Sequence, residues 1–249
     1  MPSAFKKIVV ICLYLNTMTL YAQIQPATSH YMVNPQVNNP AFYGYKDGYN
    51  FGANYRHQWA NLEGQPSTIN VFADAKLNQI HGGIGINISN DRLGAYNNTA
   101  FKLGYTFIQD FNKKIKLSVG INTGATFSKL DGSKLITPEG TSTNLNDPYL
   151  SNQIQKSIRP DLTIGVAIIH KYIEIGINYS NLINLPDKFK GTTQTLKPTY
   201  GRVFQTYISS KIKVKENFTI QPSFMLTTDF KELQTEISLI AGYKNYISV

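Results

Sequence analysis

The chain has 249 residues, enough for one large domain or two small ones with a buried core. Charged residues are 16% and aromatics 12%, which excludes disorder, because disordered chains are charge-rich and aromatic-poor. The net charge of +9 comes from scattered Lys and Arg, so no nucleic-acid partner is indicated, and no run of about 20 apolar residues follows the N-terminus to make a membrane helix.

Residues 1–22 read as a signal peptide. Lys6 and Lys7 form a positive start, residues 8–14 an apolar core, and Leu20-Tyr21-Ala22 before Gln23 a cleavage site. The single Cys, Cys12, lies in this segment. The mature chain therefore offers no disulfide and no Cys-ligated metal. Two positive charges leave with the segment.

Residues 23–48 do not alternate. Tyr31, Met32, Val33, Val37, Phe42 and Tyr43 are too apolar for a solvated linker. Pro35 and Pro40 each remove a backbone donor and suit a non-sheet path. The expectation is a candidate plug, packed in or against the domain that follows.

From Tyr49 the chain alternates with period two. Tyr49, Phe51, Ala53, Tyr55, His57 and Trp59 share one face, and Asn50, Gly52, Asn54, Arg56 and Gln58 the other. Eleven residues is the length a tilted strand needs to cross a bilayer. The pattern recurs over residues 67–75, 83–89, 99–107, 115–128, 161–168, 173–180, 200–214, 218–229 and 233–243. A stub begins at residue 246.

The second face decides the class. In a soluble sandwich it meets water and carries Lys, Glu and Thr. Here it carries Gly, Asn, Ser and Thr, which suits a crowded polar lumen. Aromatics gather at strand ends, as interfacial girdles do. Connections after even strands are short, while residues 131–158 and 181–198, after odd strands, are long. Outer-membrane barrels put short turns in the periplasm and long loops outside. The fold class is therefore all-β: a transmembrane antiparallel β-barrel of ten strands plus a stub. Residues 246–249 cannot span a membrane, so the sequence predicts that C-terminal strands are missing from this chain. A strand supplied in trans and a ten-stranded closure are the open alternatives. The predicted organisation is a signal peptide at 1–22, an N-terminal segment at 23–48 and a barrel at 49–249.

Arg56, Lys102, Glu174 and Glu236 fall on polar faces and are the predicted lumen charges. Mutual pairing is favoured over a grip on a client. His30, His57, His81 and His170 have no metal-like spacing, and neither Gly-x-Ser-x-Gly nor a paired-carboxylate arrangement occurs. Catalytic, cofactor-binding and metal-binding residues are not assigned, and no enzyme activity is expected.

Several motifs, in order, carry a resemblance. His30-Tyr31-Met32 with Asn34-Pro35 is followed by Asn39, Pro40, Ala41 and Gly44. Tyr55, Arg56, Gln58 and Trp59 end the first strand, Gly64 and Pro66 follow, and Asn90, Asp91 and Gly94 come later. Their order and spacing resemble the PorP/SprF family. The resemblance is specific over residues 29–130 and looser beyond. It implies an outer-membrane component of the type IX secretion system of Bacteroidetes-like bacteria. It also implies secreted partners with a C-terminal secretion domain, such as gliding adhesins, and contact with periplasmic secretion machinery and outer-membrane lipid. A passive porin and a secreted β-sandwich adhesin remain as alternatives.

Overall fold

The computed structural model describes residues 31–112, 114–134, 154–183, 185, 201–243 and 247–248. The signal-peptide segment, His30 and most of the two long connections lie outside the described residues. No helix among those described is long and apolar enough to cross a membrane.

The chain opens with two 3₁₀ turns, Pro35–Val37 and Pro40–Phe42. Each starts on a proline, whose fixed φ suits a first helical position and whose missing N–H costs nothing there. Gly44 follows at φ +66, a left-handed angle that favours glycine, and turns the chain toward the sheet.

The strands are β1 (Tyr49–His57), β2 (Ser67–Leu77), β3 (Gly82–Leu93), β4 (Tyr96–Asp110), β5 (Ile115–Asp131), β6 (Ile154–His170), β7 (Ile173–Ser180), β8 (Val203–Ser210), β9 (Ile212–Lys215), β10 (Phe218–Thr228), β11 (Leu233–Tyr243) and β12 (Ile247–Ser248). All pair antiparallel in one sheet in chain order, except that β8 passes over β9 to pair with β10, and β9 pairs only with β10; among the described residues β1 does not pair with β11 or β12, so the sheet is not closed. The expected strand over 200–214 is interrupted at Lys211, giving β8 and β9. The first strand ends at His57, and Trp59 falls beyond it in the left-handed region, at φ 55. β6 begins at Ile154, well before the alternation at Asp161, because Arg159-Pro160 hides the pattern while the ladder to β5 runs on through Pro160↔Ala125. β5 and β6 are 17 residues each, longer than the roughly 9–11 that span a bilayer.

The burial pattern is inverted relative to a soluble protein. Phe51 and Ile237 are 85% and 84% exposed, while Thr106 and Thr163 are 0% and 2% exposed. Buried polar side chains outnumber buried hydrophobic ones among the described residues. The apolar faces need an apolar solvent, which lipid supplies.

Curvature follows from two adjacent residues. The Val37 carbonyl accepts a hydrogen bond from Asn87 of β3, and Asn38 Nδ2 lies 3.9 Å from Met225 Sδ of β10. Six strand steps at about 4.8 Å would separate β3 from β10 by roughly 29 Å in a flat sheet, yet consecutive Cα atoms are about 3.8 Å apart. The sheet therefore curls around the N-terminal segment with its polar face inward.

Candidate functional site

The only hydrophobic cluster of buried residues among those described joins this segment to the polar face of the wall. Tyr31, Ala41 and Phe42 pack with Ala167, Tyr207 and Met225. Phe42 meets the Tyr207 ring edge-on at 5.6 Å, and Tyr31 meets it at 6.1 Å. Burial of a large apolar side chain such as Phe42 or Met225 contributes about 1.5–3 kcal/mol.

Asn39 is the central polar anchor. Its Oδ1 accepts from the Ala41 N–H at 2.9 Å and caps the second 3₁₀ turn. Its Nδ2 donates to the carbonyls of Val166 and Ile177, at 3.3 and 3.2 Å. One side chain thus fixes the local turn and joins it to two neighbouring strands. Asparagine carries both an acceptor and two donors, as this dual role needs. Pro40 offers its carbonyl to Thr106 Oγ1. The Tyr43 hydroxyl accepts from Asn122 Nδ2 at 3.0 Å, and burial raises its pKa far above the ordinary phenol value, so it stays neutral. The Gly44 N–H donates to Asp74 Oδ2 at 2.9 Å. The Tyr31 hydroxyl lies 3.2 Å from the carbonyls of Ser223 and Glu236.

Glycines make room for this segment. A Cβ on Gly85 or Gly104 would overlap the Tyr43 ring, one on Gly120 the Pro40–Ala41 backbone, and one on Gly165 Asn39 Oδ1. At Gly176 it would lie 2.6 Å from Phe42 Cε2. Register joins these positions into one track, since Gly85 faces Gly104 and Gly120 faces Gly165. The small residues of the polar face seat a segment of the same chain. No feature of the sequence pairs the segment with these strands, because the track exists only after register is set.

The remaining motif residues fall elsewhere. Tyr55 points outward, 66% exposed, and stacks on His57. The Gln58 N–H donates to the Pro66 carbonyl at 3.0 Å and closes the first loop. Gly64, at φ 74, accepts from the Gly94 N–H at 2.9 Å, and Gly94 sits at φ 57. Two glycines far apart in sequence thus dock one loop on another. Asn90 donates to Asn97 and Thr99, and Asp91 accepts from Thr68 at 2.7 Å. Trp59 is exposed in the loop.

Of the lumen charges, Lys102 pairs at 2.7 Å with Asp161, a partner outside the set read from the sequence. Tyr207 reaches toward Glu174 at 3.5 Å. Glu236 accepts from Gln234 at 3.1 Å and lies within electrostatic range of Arg56. The segment lines two cavities. One, of about 180 Å³, has polar walls that include Asn70, Asn98, Lys102 and Asp161. The other, of about 540 Å³, opens at the end of the short turns beside Tyr45, Lys46, Glu174 and Lys211. No group of three His, Cys, Asp or Glu among the described residues is placed to hold a metal ion.

An antiparallel sheet with lipid-type outer faces, curled around a polar interior, defines a membrane protein of the β-barrel class. The family model described as Type IX secretion system membrane protein PorP/SprF matches residues 20–249. The chain belongs to that family, a membrane component of a secretion system and not a known enzyme family. No curated protein and no solved structure matches it.

Proposed function

We propose that this protein is a non-enzymatic outer-membrane component of type IX secretion, supporting secretion or surface display of proteins with a C-terminal secretion domain, such as gliding adhesins. Residues 31–44 act as a fixed plug, and the barrel serves as a scaffold for the machinery rather than an open pore.

The observation that carries this reading is the Asn39 anchor. A passive porin keeps a water-filled channel. Here Asn39, Pro40, Tyr43 and Gly44 are hydrogen-bonded to side chains or backbone of strands from β2 to β7, in a track shaped by glycine. The family membership supports the secretion role, and the outward apolar faces with short turns at one end support the outer membrane.

Three measurements test it: gene deletion, bilayer conductance and cell fractionation. Deletion of the gene is expected to abolish surface display of adhesins with a C-terminal secretion domain, with complementation restoring it. Wild-type protein in planar bilayers is expected to show no steady conductance. Intact secretion in the deletion strain, or a soluble periplasmic protein on fractionation, would refute the role. A stable open channel would favour the porin.

A further inference from the structure

Lys46, Lys171, Lys211, Lys213 and Lys215 lie at the end of the short turns, and β9, like the terminal strands β1 and β12, lacks a partner on one edge among the described residues. β7 ends its pairing with β8 at Ile173↔Ser210, and the Lys211 N–H donates to the Tyr172 carbonyl at 2.9 Å. Beyond that point β9 pairs only with β10, through Ile212↔Ile220, Lys213↔Thr219 and, after a register shift, Lys215↔Phe218. Among the described residues its other edge has no neighbour. All four of its residues are exposed.

Lys211, Lys213 and Lys215 alternate with Ile212 and Val214 along this edge. Edge lysines deter pairing between like copies, because equal charges would meet. The same lysines favour an incoming strand that carries carboxylates at alternate positions. The edge borders the cavity of about 540 Å³, where Lys46 and Lys171 add positive charge. Glu174 lies inside that cavity, part-buried beside Tyr207, and Glu216 follows β9 in the turn.

We propose that β9 and the basic mouth beside it form the docking surface for an extended acidic segment of a periplasmic protein, which adds as a strand to the open edge. Anionic lipid headgroups fit less well, because Lys46 and Lys211 line a cavity on the lumen side and lipid does not use the backbone edge. The inference rests on the proposed topology, which places the short turns in the periplasm.

The test uses the purified full chain in lipid nanodiscs and a labelled ten-residue peptide of alternating Glu and Val. Controls are the same peptide with Pro replacing alternate Val, which cannot form a ladder, and a Lys-Val peptide. The Glu-Val peptide is expected to bind in phosphatidylcholine and phosphatidylglycerol discs alike. The K211E/K213E/K215E variant is expected to bind it at least about tenfold more weakly, the loss expected for three exposed charge pairs together. That variant should instead gain binding to the Lys-Val peptide, which an unfolded protein would not do. Equal binding of the Pro control, or unchanged binding by the variant, overturns the proposal. Binding lost only in phosphatidylglycerol discs overturns it too, by assigning the lysines to lipid. Peptide binding is read without secretion, so it can fail while the secretion role stands, and the reverse.

Discussion

Asn39 sits directly over Gly165: its Oδ1 occupies the space that any side chain at residue 165 would need. The same Asn39 donates to the carbonyl of the next residue, Val166. Recognition of the wall and absence of a side chain from it are therefore one feature. Gly165→Ala is expected to displace Asn39 and cost about 1–3 kcal/mol by overpacking. The outer face of β6 is untouched, so the barrel should persist. Limited proteolysis in detergent checks this: cleavage between Tyr31 and Tyr43 should accelerate in the variant while heat-modifiable mobility is kept. Equal protection in both proteins would mean that the segment is held elsewhere.

Lipid contact is tested on β5. Ile121 is 47% exposed on the apolar face, mid-strand. Ile121→Arg is expected to cost about 2–4 kcal/mol of stability in lipid. Parity alone would make neighbouring Asn122 the harmless control, but Asn122 is buried and bonded to Tyr43. Thr126, on the same strand and lining the smaller cavity, is the better one. Thr126→Arg should cost much less, as read by urea titration of folded mobility. Equal costs would mean that the face of Ile121 does not meet lipid.

The strands were legible because period-two alternation is a local property. On β5 the apolar Ile121 and polar Asn122 take opposite faces as their order in sequence requires. The early start of β6 was not legible, because Arg159-Pro160 breaks the alternation and only the ladder to β5 carries the strand through. The break at Lys211 was hidden for the opposite reason, since alternation continues across it while pairing changes. The motif Asn39-Pro40-Ala41 stood out in sequence, but its seat did not. Gly120, Gly165 and Gly176 lie on three strands, and only register makes them neighbours. The same holds for Asp161 as the partner of Lys102.

The junction into β1 is tied by Asp47, whose carboxylate accepts from Lys76 Nζ at 2.7 Å. That hydrogen bond, and next the Lys76 charge, hold the Asp47 carboxyl below the usual carboxylate range. A lowered folded-state pKa contributes stability above the ordinary value of about 3.9, and the contribution is lost as pH falls through the folded value. The carboxyl resonance of Asp47 is expected to titrate below that of an unpaired aspartate. Lys76→Met should return it to the ordinary range. An unchanged titration in the variant would show that Lys76 is not the cause.

Lys102 and Asp161 form an ion pair whose side chains are 22% and 8% exposed, on facing polar walls of β4 and β6. Neither strand pairs with the other, so the pair bridges over β5 at Lys102↔Gly124 and Gly124↔Asp161. A Cβ on Gly124 would press on the Phe101–Lys102 backbone of β4, so the bridging strand carries no side chain at this point. Lys102→Met removes the countercharge from a nearly buried carboxylate and is expected to cost on the order of 1–3 kcal/mol. Asp161→Asn leaves the lysine, which is more exposed and can turn toward the cavity water, so it should cost less. The double variant K102M/D161N removes both charges and should recover part of the loss. A double-mutant cycle on urea unfolding in lipid reads the coupling directly. Additive losses, with no recovery in the double variant, would mean that the two charges act independently and that the bridge over β5 does not stabilise the barrel.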